Sequence, residues 1–165
     1  MRTSHTQDAL PKPIPTETDP QDAITLLTED HEQVKSMFEQ YEELGDRAFI
    51  TKQKLALQIC DELTKHAIAE EEIFYSAVRE ATKEDDLLDE AVVEHASAKD
   101  LIDQIISMEP TEDLYDAKVK VLGELIDHHV KEEEMFPKAR KAKLDLMALG
   151  EAIAARKQQI ELPPH

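Results

Sequence analysis

Residues 65–74 run Lys65-His66-Ala67-Ile68-Ala69-Glu70-Glu71-Glu72-Ile73-Phe74. Around them Leu55, Ile59, Leu63, Ile73 and Ala77 recur at helical spacing, and the stripe passes through His66 and Glu70. Residues four apart on a helix stand one above the other on a single face. Two polar side chains that interrupt a core stripe in this way are costly to bury without partners. A lone HxxxE pair is more often a partly exposed charged face than a site. This pair recurs: Ile126-Asp127-His128-His129-Val130-Lys131-Glu132-Glu133-Glu134-Met135-Phe136 repeats the pattern, with His31 before the first copy and His95 between the two.

Outward from these stretches, the chain divides into helices. Ile24, Leu27, His31, Val34, Phe38 and Tyr41 form the stripe of a first helix expected to start at Asp19-Pro20, an N-cap followed by proline at the first helical position. Gly45 stops it. The second helix is expected over roughly 47–80. Thr82 and Asp85 resemble a capping box for a third, whose stripe is Leu88, Val92, His95, Ile102 and Ile105. Pro110 separates it from a fourth, expected over about 112–140, through Leu122, Leu125, Ile126, His129, Glu133 and Phe136, with Pro137 bending or fraying its end. A short fifth helix follows over about 145–159. There is also an internal repeat: Glu-Asp-His31-x-x-x-Lys35-x-Met-Phe38-Glu-Gln40 matches Val-Glu-His95-x-x-x-Lys99-x-Leu-Ile102-Asp-Gln104. The expected fold is all-α: an up-down four-helix bundle (19–142) with approximate two-fold symmetry and a short C-terminal fifth helix and tail (143–165). A disordered, proline-containing N-terminal arm (1–18) precedes it.

Composition agrees and excludes several function classes. With 34% charged residues, 4% aromatics and three glycines in 165 residues, the chain favours helix and suits a single core. A net charge of −18 argues against nucleic acid or an anionic membrane as partner. Cys60 is the only cysteine, so neither an intrachain disulfide nor a cysteine-ligated metal is expected. No apolar run reaches membrane-spanning length and no leader is visible, so a soluble, cytoplasmic protein is expected. Its oligomeric state is not legible.

Four helices each place a histidine in mid-stripe, and two of these have a glutamate one turn on. Burying four imidazoles and two carboxylates at one level of a core requires partners for all of them. A pair of metal ions supplies these together, and an all N/O set suits iron, manganese or zinc. Bundles commonly build such sites from facing helices. The candidate ligands are His31, His66, Glu70, His95, His129 and Glu133. Aligning the second copy on its Glu triplet offers His128 and Glu132 instead. The apolar neighbours Leu125 and Ile126, one turn upstream, favour His129.

At His31, His66-x-x-x-Glu70, His95 and His129-x-x-x-Glu133 the chain resembles the hemerythrin-like family, the HHE cation-binding domains, over about residues 20–140. The fifth helix is similar to the extension of bacterial members. The resemblance implies a non-haem centre of two iron ions, open to an oxo or hydroxo bridge. It would bind or sense oxygen, nitric oxide or iron or, as a redox enzyme, decompose peroxide or reduce nitric oxide. Oxygen-carrying members have a further histidine where this chain has Lys99, a departure that speaks against reversible oxygen transport.

Overall fold

The structure, a computed structural model, describes residues 21–129 and 131–165, and of 131–133 only the backbone. The arm expected over 1–18 and the helix start expected at Asp19-Pro20 lie outside these residues. Helix α1 spans Ala23–Glu42, and its first turn is capped by Asp22, whose carboxylate accepts from the Thr25 backbone N–H at 2.8 Å. Helix α2, Phe49–Ala69, passes into a π-helical turn, Glu70–Tyr75, and on into α3, Ser76–Ala81. Helices α4 (Asp85–Ser107), α5 (Tyr115–Asp127), α6 (Lys131–Lys141) and α7 (Leu146–Gln159) complete the chain, with no strand among the described residues.

Helix α1 packs on α2, α2 on α4, α4 on α5, and α5 back on α1, which closes a ring of four. The neighbours run antiparallel, because each of two apolar clusters draws on alternate ends of successive helices. One joins Ala23 and Leu27, early in α1, to Phe74 and Val78, late in the second rod, and then to Leu88 and Ala91, early in α4. The other joins Val34 and Tyr41 to Ala56 and Ile59, then to Ile102 and Ile105 and to Val119 and Leu122. Each fully buried Val, Leu, Ile or Phe side chain of these clusters contributes roughly 1.5–3 kcal/mol. The expected all-α bundle is therefore the fold. Among the described residues no helix is long and apolar enough to cross a membrane.

Three local expectations need correction. Beyond Glu70 the buried positions of the second rod are Phe74, Tyr75 and Val78, whereas Ile73 and Ala77 are only partly buried. The π turn holds one residue more than an α turn, so the stripe moves on by one position. Thr82 forms no capping box: its hydroxyl donates back to the Val78 carbonyl at 2.7 Å, and no side chain caps α4. The fourth rod is not continuous either. Helix α5 ends at Asp127, and His128 and His129 lie in the turn that follows, with the His129 N–H bonded to the Ile126 carbonyl at 3.1 Å. Helix α6 then runs on through Pro137 to Lys141, close to the end expected for the fourth helix.

Candidate metal centre

Between the two apolar clusters lies a polar layer. His31 stands between Leu27 and Val34, His66 between Leu63 and Ala69, His95 between Ala91 and Ala98, and His129 between Leu122 and Met135. The structure brings all four histidines and Glu70 together. Glu70 is fully buried, His66 and His129 are buried, and His31 and His95 are partly buried. His128, the alternative to His129, is exposed. The side chains of Glu133 and of its alternative Glu132 lie outside the described residues.

Glu70 joins two groups of ligand-type atoms. Its Oε2 lies 3.2 Å from His66 Nε2, which is 3.1 Å from His31 Nε2. Its Oε1 lies 3.1 Å from His95 Nε2. In each group, His31–His66–Glu70 and Glu70–His95–His129, the ligand atoms lie within 4.8 Å of one another. Two atoms each about 2.1 Å from a metal, and at right angles around it, are about 3.0 Å apart, so the observed spacings suit a shared cation. Glu70 Oε2 supports this, being fully buried and outside hydrogen-bonding geometry, with the His66 ring nitrogen 3.2 Å away. A buried carboxylate oxygen needs a positive charge beside it, which a protonated His66 or a metal cation can supply.

Three imidazoles are fixed from behind. His66 Nδ1 lies 3.0 Å from Asp30 Oδ2, His95 Nδ1 lies 2.8 Å from Glu71 Oε1, and His129 Nδ1 is bonded to Glu94 Oε2. A histidine that donates its Nδ1–H to a carboxylate presents the Nε2 lone pair to a metal in a fixed orientation. Tyr75 adds a phenol to the layer. It donates to Glu70 Oε1 at 2.8 Å, lies 3.5 Å from His129 Nε2, and stacks on His95 with centroids 5.6 Å apart.

Without a metal, protons take up part of the charge. Burial alone would lower the His66 pKa, but the Glu70 charge and the Asp30 hydrogen bond outweigh it and raise it to about 9. Burial works against the Glu70 carboxylate too, yet His66 and His95 hold it well below the usual carboxylate range. For His129 burial wins, and its pKa falls. Burial pushes the Tyr75 phenol far up, with Glu70 adding to it.

The hemerythrin HHE cation-binding domain, as a family, matches residues 22–148. The chain belongs to this family. A solved structure of a hemerythrin HHE cation-binding domain-containing protein from Mycobacterium kansasii superposes with a TM-score of 0.70 at 26% identity, over 84% of this chain and 86% of that one. No curated protein matches the chain. Membership in this family makes it a cation-binding domain, and the His/Glu layer contains residues able to hold the cation.

Sequence reasoning missed Asp30, Glu71, Glu94 and Tyr75. Asp30 and Glu94 had a legible signal, since each immediately precedes a histidine at the same place in the internal repeat, Asp30-His31 and Glu94-His95. Each serves a histidine on another segment of the chain, which only the packing reveals. Tyr75 had none. Five residues are about 1.4 turns of an α-helix, off the face of Glu70, and it is the wider π turn that brings its hydroxyl back to the carboxylate.

A cavity of about 390 Å³ reaches this layer, with His31, His66, His95 and His129 on its wall beside apolar Leu63, Val92 and Ile102. Lys99 also lines it and is exposed, with no ion pair among the described residues.

Proposed function

We propose that this HHE domain is a non-haem di-iron protein that binds or senses a small ligand, oxygen or nitric oxide, at the His/Glu layer. The ligand set is His31, His66, Glu70, His95, His129 and Glu133, with Tyr75 within reach of the second position. The observation that carries it is Glu70, fully buried between the two groups of imidazoles, with Oε2 facing His66 and Oε1 facing His95. When bound, two iron ions supply exchangeable positions for a small molecule and electrons for its reduction. The chain's own part is to hold the imidazoles rigid through Asp30, Glu71 and Glu94 and to admit the ligand through the cavity. Elemental analysis of protein made in iron-replete medium is expected to give about two metal ions per chain, mainly iron, as for two-metal carboxylate sites. An empty site overturns the reading.

Lys99 favours a second, redox reading at the same centre: decomposition of peroxide or reduction of nitric oxide. Where oxygen carriers have a histidine ligand, this lysine is exposed on the cavity wall, which leaves one protein ligand fewer. Reduced protein is expected to be oxidised irreversibly by oxygen. Full recovery of the reduced spectrum over repeated oxygen cycles would show a carrier instead.

A further inference from the structure

Behind the three fixed imidazoles the carboxylates are not alike. Asp30 Oδ2, the oxygen that meets His66 Nδ1 at 3.0 Å, also accepts from Lys157 Nζ at 2.6 Å. Both partners of this ion pair are largely buried, their side chains 19% and 15% exposed. Glu71 and Glu94, behind His95 and His129, have no lysine or arginine partner among the described residues and are more exposed, at 37% and 31%. The lysine comes from α7, outside the ring of four. The preceding residue anchors that helix: Arg156 grips Glu72 of the π turn through Nε at 2.7 Å and Nη2 at 3.3 Å. Two consecutive basic residues of α7 thus reach two segments that carry the layer.

We propose that Lys157 is a positioning residue that makes the two metal positions unequal, the one on His31 and His66 carrying the higher reduction potential. The inference rests on the di-iron reading above. Its physical basis is the shared oxygen. An ammonium on Asp30 Oδ2 draws off the electron density that this oxygen would otherwise lend to the His66 N–H. His66 is then a weaker donor to its metal than an imidazole backed by an unpaired carboxylate. A weaker donor, and a positive charge close by, both favour the ion with the lower charge. His95 and His129, backed by Glu71 and Glu94, receive no such correction. The two-fold pattern of the sequence repeat is thereby broken by a helix that is not part of the repeat.

The test is a redox titration of iron-loaded, full-length protein, comparing the unsubstituted chain with Lys157→Gln, Lys157→Met and Lys157→Arg. Circular dichroism and melting curves check that each variant folds. In Lys157→Gln and Lys157→Met the higher of the two one-electron steps is expected to fall by about tenfold in the ferric/ferrous equilibrium, about 59 mV. The lower step stays within a third of that change, and Lys157→Arg keeps both steps near their original places. A merely structural lysine would change the melting temperature and leave the potentials of the folded protein where they were. The glutamine variant answers the question if the methionine one fails to fold. Unmoved potentials in a folded, iron-loaded Lys157→Gln protein overturn the inference, as does an equal shift of both steps or an arginine variant that behaves like methionine. Unsubstituted protein that takes up no iron fails earlier, and it is then the di-iron reading that falls.

Discussion

His66 faces Glu70 with one ring nitrogen and Asp30 with the other, so it holds either a proton or a share of a metal. In the metal-free protein its pKa rises from 6.5 to about 9. The stabilisation from this pairing is therefore complete below about pH 6.5 and is lost as pH climbs through about 9. Glu70 runs the other way. Its folded value lies below 4.5, so its contribution is present above that pH and is lost in acid. Metal must displace the His66 proton, and its apparent affinity is expected to rise with pH up to about 9, with protons released on binding. Competition titrations at several pH values, with proton release followed in weak buffer, measure this. An affinity indifferent to pH between 6.5 and 9 would show that His66 is neutral before metal arrives.

At the scale of elements, the π turn and the last helix do most to shape the site. The extra residue in Glu70–Tyr75 gives the second rod two buried phases, His66 and Glu70 before it and Phe74 and Val78 after it. Helix α7 packs on α1 and on the π turn, and Gly150 lets it lie against the start of α1. A Cβ on Gly150 would sit 1.9 Å from the Gln21 carbonyl oxygen, an overlap that no side-chain movement relieves. Gly150→Ala is expected to cost about 1–3 kcal/mol, the range for overpacking. By moving α7 it should also loosen the Lys157–Asp30 pair. Urea unfolding measures the first effect. A variant as stable as the parent would mean that α7 does not pack this closely in solution.

Across the whole molecule, two apolar halves hold a polar layer between them, and the layer is stable only with its charge compensated. Metal that binds the folded chain alone stabilises it by linkage, about 4 kcal/mol at free metal 1,000-fold above Kd. For a domain of this length that corresponds to a rise in melting temperature of roughly 8–16 °C. Removal of metal by a chelator, followed by thermal melting, tests this. Coincident curves for the loaded and stripped protein would show that the layer is held by protons and hydrogen bonds alone.

The sequence by itself determined the helices, the bundle and the level at which its polar layer lies. These follow from local rules, since a stripe at helical spacing fixes which face is buried, and His31, His66, His95 and His129 interrupt four such stripes. Tertiary structure alone decided which partners those histidines meet. Asp30, Glu71 and Glu94 serve imidazoles on other segments, and Lys157 reaches Asp30 from 127 positions away. No periodicity encodes such pairings. The π turn was hidden for a related reason: it departs from the spacing on which the sequence argument depends, and it persists because Phe74, Tyr75 and Val78 gain burial there. The break after Asp127 likewise interrupts a stripe that looked continuous from Leu122 to Phe136. Local spacing specifies faces, while the chemistry of this centre depends on distances between faces, and those are set only once the helices have packed.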